Sequence, residues 1–383
     1  MNVLIAVPWD QETGGVASVV GHLALQLQEH GHQVHFLHPA SSRVARAKIT
    51  KWGFPGYEVN LRSPTSPPTL RARIAYAMTF PATCFALSRI LRRHQIDVVN
   101  VHYPSAMFGY FALLRRLRPG SRLVVSLHGA DVVDPPDRVG VDAITARLLG
   151  TADAIVTPSG GFTRQCRPLL HPLESVVHVI HNGVSLAEFD GVSGDRQPET
   201  LLSIASLDSW KGLDVLIRAV AELRRERSEL RLLIAGDGPE RAALGELVTA
   251  LGQDGAVAFL GQVSRARLMD LLSTCTLFVH PSRFEPFGIA VAEALAAGVP
   301  AVATNVGGIP EILGDGDYGL LVPPDSVAAL VSAISRLLKD AGLRHQLAAS
   351  GPPRVAAAFR WEFTGQRYLS LFQRLLHSGN RTE

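Results

Sequence analysis

Two glutamates, Glu285 and Glu293, have the spacing and surroundings that most directly indicate chemistry in this sequence. They lie in the stretch 277–312, whose apolar runs and Gly/Pro breaks predict a strand, a loop, a helix, a second strand and the start of another helix. Glu285 falls in the loop, and Glu293 falls inside the first helix among small apolar residues. Because an unpaired carboxylate in such a place costs roughly several kcal/mol, Glu293 needs a polar partner.

A hydroxyl-rich ligand is one partner that these carboxylates could bind. The predicted helix runs from about Phe287 to Ala297, so Gly288 and Ile289 lie at its N-terminus, where unpaired N–H groups bind anions. Carboxylates that bind hydroxyls, together with backbone amides that bind phosphate, suggest that the ligand is a sugar nucleotide. The alternative interpretation is structural, with Glu293 held by a neighbouring arginine and Glu285 simply solvated.

Further candidate residues follow other predicted strands. His128 ends the strand Leu123–Leu127, where open α/β sheets bind ligands, and an imidazole there can donate to a phosphate or sugar oxygen. Gly14 and Gly15 form the first turn, where glycine lets a ligand approach the backbone. Lys211 precedes a predicted helix and indicates a phosphate contact. A structural histidine and a plain tight turn remain the alternatives at the first two places.

The alternation of strands and helices organises these residues into domains. A chain of 383 residues is too long for one core and is typical of two domains. Strand and helix patterns alternate in both halves, which predicts an α/β protein with two doubly wound parallel sheets facing each other across a deep cleft. The polar segment 190–199, which contains Gly and Pro, is the predicted linker. Residues 1–188 and 189–360 are the predicted domains.

Charge is distributed unevenly, although the net charge is only +3. Residues 40–125 contain 14 Lys or Arg and 2 Asp or Glu, whereas residues 191–383 contain 19 and 21. The basic N-terminal half predicts peripheral attraction to an anionic surface, such as a membrane or a lipid diphosphate, and the alternative is a set of solvated arginines. No recognition motif for nucleic acid accompanies the charge, so no nucleic-acid partner is expected.

The helical pattern Arg71–Arg93 carries arginines and aromatic residues, and Pro81 is expected to kink or split it. Its apolar residues are expected to belong to the core, although the pattern also permits an interfacial helix. We recognise no signal peptide and no apolar run of about 20 residues, the length that a bilayer requires. Three scattered cysteines suit a reducing cytosol. The expected location is the cytoplasm or the inner face of the cytoplasmic membrane.

The ordered set of motifs resembles the retaining glycosyltransferases of the GT-B fold, specifically glycosyltransferase family 4. Its strongest piece runs from Glu285 to Glu293, which is similar to that family's E-x7-E element, and Gly-Gly-Ile-Pro-Glu follows at 307–311. The similarity covers nearly the whole chain and is specific as an ordered set. The supporting pieces are Gly14-Gly15-Val16, His128-Gly129, Asn182-Gly183-Val184, Lys211-Gly212 and Gly236-Asp237-Gly238-Pro239.

The resemblance implies two facing Rossmann-like domains, an N-terminal one for the acceptor and a C-terminal one for a nucleotide-sugar donor, with the helix 361–377 packing back on the first. It also implies roles for matching residues. Glu293 would hold the ribose hydroxyls, and Lys211 with the Gly15 amide would stabilise the leaving diphosphate. The expected catalytic residues are His128, beside the sugar and the phosphate, Lys211, and Glu285, at the transferred sugar. The remaining expected donor contacts are Gly14, Ser206, Gln262, Val263, Phe287, Gly288 and Ile289.

One position departs from the family pattern. The family usually has an arginine in the turn after the first strand of the second domain, where this chain has Ser206. A missing guanidinium removes a bidentate phosphate contact worth about 1.5–3 kcal/mol. Arg283 is a candidate replacement, and slower turnover is an alternative outcome.

The expected reaction is transfer of a sugar from a nucleoside diphosphate sugar to an acceptor hydroxyl, with retention at the anomeric carbon. No metal or other cofactor is expected. Asp315-Gly316-Asp317 is the one Asp-x-Asp sequence that could bind a divalent metal, and we interpret it as a structural turn at the surface. The acceptor is expected to be a glycan or a lipid-linked precursor in bacterial polysaccharide or glycolipid synthesis. The alternatives are a GT-B phosphorylase or epimerase and a catalytically weak or inactive subunit that binds a sugar nucleotide.

Overall fold

The structure of the protein, a computed structural model, describes residues 1–8, 14–40, 46–63, 69–117, 120–134, 138–191 and 196–378. It divides the chain into two compact units. The first comprises Met1–His181 together with Trp361–Glu383, and the second comprises Asn182–Arg360. Part of the predicted linker, residues 192–195, lies outside the described residues.

The first unit is built on an eight-stranded sheet. Strands rich in Val, Leu and Ile form it because their side chains are buried on both faces, as a parallel sheet requires. Its spatial order is β10-β9-β6-β5-β1-β2-β4-β3, in which neighbours are parallel except the antiparallel edge pair β3–β4. The strands are β1 Asn2–Ala6, β2 Gln33–Pro39, β3 Arg46–Ile49, β4 Pro55–Val59, β5 Val98–His102, β6 Arg122–Ser126, β7 Val133–Asp134, β8 Arg138–Val139, β9 Ala154–Thr157 and β10 Val177–Val179, of which β7 and β8 form a separate pair.

In the part of this unit that the structure describes, the strands are connected by the helices α1 Gly15–Glu29, α2 Leu70–Arg93, α3 Gly109–Leu117, α4 Ala143–Gly150, α5 Gly160–Gln165 and α6 Arg167–Leu170. The last helix of the chain, Trp361–Ser378, belongs to this unit and packs on α1. The packing is close, because a Cβ added at Gly365 would lie 2.5 Å from Gln26 Cβ.

The second unit is a six-stranded, wholly parallel sheet in the order β13-β12-β11-β14-β15-β16. Its core fills both faces with aliphatic side chains from the strands and the flanking helices. The strands are β11 Thr200–Ile204, β12 Arg231–Ala235, β13 Val257–Gly261, β14 Leu277–His280, β15 Ala301–Thr304 and β16 Leu320–Val322. The helices are α7 Leu213–Leu223, α8 Arg241–Ala250, α9 Arg265–Thr274, α10 Ile289–Ala296, α11 Ile309–Leu313, α12 Val327–Lys339 and α13 Ala341–Ala358, and Trp361–Ser378 becomes α14.

The predicted fold class is confirmed: each unit is an α/β structure with a doubly wound, parallel sheet. Two local expectations differ from the structure. The antiparallel pair β3–β4 lies in residues 39–70, where the basic sequence with Pro64, Pro67 and Pro68 predicts mainly loops, and α13 is a helix that the sequence pattern did not reveal. Gly351, Pro352 and Pro353 occur inside α13 and hide its helical signal.

Helix α2 differs from its prediction in two ways. Pro81 does not split it into two helices, and it carries four large apolar side chains in solvent instead of in the core. Those side chains are Leu70 at 74%, Ile74 at 51%, Met78 at 77% and Phe85 at 65% exposed. Within the described part of the chain, α2 is the one helix long and apolar enough to cross a membrane by length and composition, a test that buried helices also pass.

Candidate active site

The loop that carries Glu285 is fixed by its contact with the turn that carries Lys211. Strand β14 ends at His280, and the loop 281–288 follows it into α10. The carbonyl oxygen of Trp210 accepts from the backbone N–H of Arg283 at 2.7 Å and of Phe284 at 3.3 Å. The two segments therefore share backbone hydrogen bonds although they are far apart in sequence.

Two glycines permit this close packing. Gly212 has a φ of 64°, and a Cβ there would lie 2.2 Å from the carbonyl oxygen of Pro281. Gly307 has a φ of 51°, and a Cβ there would lie 1.7 Å from the carbonyl oxygen of Glu285. Only glycine fits either place. The turn at Gly212 therefore packs against Pro281, where the loop begins, and the turn at Gly307 packs against Glu285 itself.

Glu285 lies at the centre of a buried polar cluster. Its Oε2 accepts from Lys211 Nζ at 2.7 Å and lies 2.8 Å from His280 Nε2, which is also 3.0 Å from Ser282 Oγ. The side chains of Lys211 and Glu285 are only 15% and 11% exposed. Glu285 is therefore not solvated, and that part of the structural alternative is wrong.

The environment keeps Glu285 ionised. Burial alone would raise its pKa, but the Lys211 ammonium and the bond with His280 outweigh burial and hold the pKa well below its usual range. Both partners use Oε2, and Oε1 has no hydrogen-bond partner within the described residues. One oxygen thus anchors the carboxylate while the other is available to a ligand hydroxyl.

His280 and Ser282 are members of the cluster that the sequence reasoning missed. Both are buried, and Thr304 Oγ1 donates to the carbonyl oxygen of Ser282 at 2.5 Å. The available signal was a polar residue, His280, at the end of an otherwise apolar strand, directly before Pro281 and Ser282 break the pattern.

Glu293 has an arginine partner, as the structural alternative supposed. Its Oε1 accepts from Arg265 Nη1 at 2.6 Å, and Arg265 also pairs with Glu188. Burial raises the pKa of Glu293, and the Arg265 charge opposes that rise without cancelling it. The arginine side chain is 43% exposed and the Glu293 side chain 13%, so this pair lies much nearer to solvent than Lys211–Glu285.

The other predicted donor residues of the second unit lie near the carboxyl ends of its strands. Ser206 is exposed after β11, and Gln262 and Val263, exposed and half-buried, follow β13. The backbone N–H of Gly236 donates to the carbonyl oxygen of Gly261 at 2.8 Å, which ties the turn after β12 to the end of β13. Parallel strands present these ends along one edge of the sheet.

The start of α10 completes this edge. Phe287 is buried and packs edge-on against Phe359, with ring centroids 5.7 Å apart. Gly288 has a φ of 107° and caps the helix that Ile289 begins. These three residues therefore lie where the sequence put them, although the helix itself is two residues shorter at its start than predicted.

Arg283, the candidate replacement for the arginine that the family has at the position of Ser206, is bonded to two acidic side chains. Its Nη1 and Nη2 donate to the two carboxylate oxygens of Asp214, each at 2.8 Å, and its Nε donates to Asp325. These bonds raise the pKa of Arg283 and commit the guanidinium to protein partners. A phosphate contact by Arg283 therefore stays a prediction, and it would compete with these bonds to Asp214 and Asp325.

In the first unit, His128 follows β6 as predicted, and Asp131 holds its loop. The backbone N–H groups of His128 and Gly129 donate to Asp131 Oδ1 at 3.1 Å and 2.6 Å. Burial raises the pKa of Asp131 to about 7 even though these amides oppose the shift. Gly14 caps α1 with a φ of 103°, and Gly15 is its first residue; both are exposed.

No group of three His, Cys, Asp or Glu side chains that could hold a metal ion occurs in the described ranges. Asp315 and Asp317 are exposed in a short 3-10 turn, the kind of segment that the sequence predicted for them.

Two family models together cover most of the chain. The model described as Glycosyltransferase Family 4 matches residues 13–188, and the model described as Glycosyl transferases group 1 matches residues 188–353. The chain belongs to these family 4, group 1 glycosyltransferases, and its two Rossmann-like units are those of the GT-B fold.

Known relatives agree with this membership. The D-inositol 3-phosphate glycosyltransferase of a Nocardioides species is 32% identical over 73% of this chain and 67% of its own length. The N-acetyl-alpha-D-glucosaminyl L-malate synthase of Bacillus anthracis is 26% identical over 98% of both chains. Among solved structures, HepE of Anabaena in complex with UDP-glucose has a TM-score of 0.73 at 18% identity and covers 98% of this chain and 100% of that one.

Proposed function

We propose that this glycosyltransferase moves a sugar from a nucleoside diphosphate sugar to an acceptor hydroxyl with retention of the anomeric configuration. The observation that carries the proposal is the arrangement at the carboxyl edge of the second sheet. A buried cation, Lys211, and two carboxylates, Glu285 and Glu293, occur there beside the N-terminus of α10. Cations and helix amides suit a diphosphate, and carboxylates suit sugar hydroxyls.

Lys211 would neutralise the charge that develops on the leaving diphosphate. An ammonium has three N–H donors, and Glu285 Oε2 uses one of them at 2.7 Å. Two donors remain for phosphate oxygens without breaking the pair. Because the site is partly buried, this electrostatic stabilisation is stronger than it would be in water.

Glu285 would orient the transferred sugar through Oε1, the oxygen that neither Lys211 nor His280 uses. Glu293 would bind the ribose hydroxyls, either beside Arg265 or in exchange for it. No residue here is assigned as a covalent nucleophile, and we propose front-face attack in which the leaving phosphate accepts the proton of the acceptor hydroxyl. We also propose that this chemistry needs no metal or other cofactor.

A uridine nucleotide is the first donor to test, because HepE was solved with UDP-glucose. Thermal-shift measurements compare uridine, guanosine and adenosine diphosphates and the corresponding nucleotide sugars. We expect only the nucleotides with one of these three bases to raise the Tm of the protein. Glu293→Gln should weaken that nucleotide by about tenfold to a hundredfold, the value of a charge-assisted hydrogen bond. Glu246→Gln, an exposed glutamate of the same unit, is the matched control and should bind normally.

Turnover separates the enzyme from its alternatives. Product analysis should show transfer of the sugar with the anomeric configuration of the donor. Release of a sugar phosphate that requires inorganic phosphate would indicate a phosphorylase instead. Tight donor binding without turnover on a broad acceptor panel would indicate an inactive subunit, the second candidate, which the exposed Ser206 and the committed Arg283 favour.

We further propose that the acceptor is a glycan or a lipid-linked precursor presented at an anionic membrane on the cytoplasmic side. Helix α2 supports this, because its exposed apolar residues Leu70, Ile74, Met78 and Phe85 recur at helical spacing. The exposed arginines Arg71, Arg89 and Arg92 fall on the same face by that spacing. An apolar stripe with arginines at both ends suits the boundary between headgroups and acyl chains.

A further inference from the structure

A buried chain of hydrogen bonds leads to His128 from inside the first unit. His128 Nε2 lies 3.0 Å from His102 Nδ1, and His102 Nε2 lies 2.8 Å from Asn100 Oδ1. The Asn100 side-chain nitrogen donates to the carbonyl oxygen of Val124 at 3.3 Å and to Ser126 Oγ at 3.0 Å. We call Asn100, His102 and His128 the histidine relay. Asn100 and His102 are fully buried, and His128 is half-buried.

The position of each proton follows from the inner end of the relay, where Asn100 meets Val124. A backbone carbonyl can only accept, so the Asn100 nitrogen must face Val124 and the Asn100 oxygen must face His102. That oxygen also only accepts, so His102 carries its proton on Nε2. In a neutral imidazole the other nitrogen is then a bare acceptor, so His102 Nδ1 must receive its hydrogen bond from His128 Nε2.

Burial keeps both rings neutral. It lowers the pKa of His102 well below its usual value, with the neighbouring His128 adding to the shift, and it lowers the pKa of His128 to about 4. At neutral pH, the His128 ring therefore has a single N–H group, and this group donates its hydrogen bond to His102 Nδ1. No described residue makes a hydrogen bond to His128 Nδ1.

We propose that the histidine relay locks His128 in the tautomer with its proton on Nε2, so that Nδ1 accepts a hydrogen bond from a hydroxyl of the substrate. His102 and Asn100 are positioning residues for that contact. The inference rests on the proposed function for the identity of the ligand. It changes the expected chemistry of His128: a bare nitrogen repels a phosphate oxygen, so this residue recognises a sugar or acceptor hydroxyl and not the diphosphate.

The tautomer itself is measurable without any substrate. Two-bond proton–nitrogen correlations on protein labelled with ¹⁵N-histidine distinguish a protonated from a bare ring nitrogen, and His128→Gln assigns the signal. We expect a protonated Nε2 and a bare Nδ1 in the wild type at neutral pH. A proton on Nδ1, or a positively charged ring, would overturn the proposal.

Variants test whether the relay sets this state. His102→Phe removes the acceptor, so the His128 signals should move toward an average of both tautomers, and kcat/KM should fall about tenfold, the value of one hydrogen bond. Tyr368→Phe is the matched control: it removes the hydroxyl that lies 3.0 Å from Ser126 Oγ but leaves Val124 to orient Asn100, so the tautomer should not change. An unchanged tautomer in folded His102→Phe would refute the relay.

The two proposals fail separately. If the predicted tautomer is found but no nucleotide sugar binds or reacts, the proposed function is wrong and the relay stands. If transfer occurs while His128 carries its proton on Nδ1, the relay is wrong and the function stands. Should His102→Phe fail to fold, the wild-type spectrum alone decides, because only one of the two tautomers agrees with the proposal.

Discussion

Replacing Lys211 by methionine would remove the cation of the buried cluster while keeping its aliphatic stem. The N···O distance of 2.7 Å corresponds to about 6 kcal/mol of gross attraction at an effective dielectric constant of 20. Desolvation of both charges offsets much of this, but removing one partner leaves Glu285 buried with only His280 to compensate it. We therefore expect a net loss of about 3 kcal/mol, at the low end for broken buried pairs.

Calorimetry of the full chain measures this loss. For a unit of this size, about 3 kcal/mol corresponds to a fall of about 6–12 °C in the Tm of the second unit. Lys339→Met is the matched control, because Lys339 is the other lysine of residues 182–360 and is exposed. The control should lower Tm by no more than about 2 °C.

The pH dependence gives the same prediction a second readout. The pKa of Glu285 in the folded protein lies below its unfolded value of about 4.3, so the pair stabilises the fold fully above that pH and progressively less below it. The Tm difference between wild type and Lys211→Met should therefore shrink as the pH falls below about 4. The reasoning would be refuted if Lys211→Met lowered the Tm at neutral pH by no more than the Lys339→Met control does. It would also be refuted if the Tm difference between the wild type and Lys211→Met grew as the pH falls.

Two further substitutions test the loop geometry and the exposed helix. In a urea titration, Gly307→Ala should destabilise the second unit by more than about 2 kcal/mol, and it should abolish donor binding, because its Cβ would lie 1.7 Å from the Glu285 carbonyl oxygen. Gly252→Ala is the control, because Gly252 has a φ of 66° and no atom within 4 Å of an added Cβ; it should cost only about 1 kcal/mol of backbone strain in the same titration. Met78→Glu should abolish co-sedimentation with anionic vesicles, whereas Val179→Glu, which also replaces an exposed apolar residue of the first unit, should bind them like the wild type. Equal binding of the wild type to zwitterionic vesicles, or retained binding by Met78→Glu, would count against a membrane surface on α2.

Local patterns were sufficient for the fold class and for the places of the candidate residues along the elements. Continuous apolar runs separated by glycine and proline predicted the parallel strands. His128 was singled out because it follows a strand, and Lys211 and Glu285 because they precede helices. These inferences need only the neighbouring residues, because the period of the pattern and the ends of the elements are local properties.

The partners of the charged residues could not be predicted in the same way. Lys211 and Glu285 are 74 positions apart, and Arg265 and Glu293 are 28 apart, so their pairing depends on how the strands are ordered in the sheet. The exposure of α2 was missed for a related reason. A helical pattern shows that one face is apolar, but whether another element covers that face is a property of the tertiary structure.

The two carboxylates of the candidate site differ in how readily they can exchange partners, and this difference supports the separate roles that we propose for them. The Arg265 side chain is 43% exposed and has Glu188 as a second partner, so under the proposed function a ribose hydroxyl would take the place of the arginine at Glu293 more easily than a ligand could take the place of Lys211 at Glu285. Glu285 cannot release Lys211 so easily, because both side chains are largely buried. Under the proposed function it would act through its unshared Oε1, which would hold a sugar hydroxyl while Oε2 keeps the lysine in place for the diphosphate.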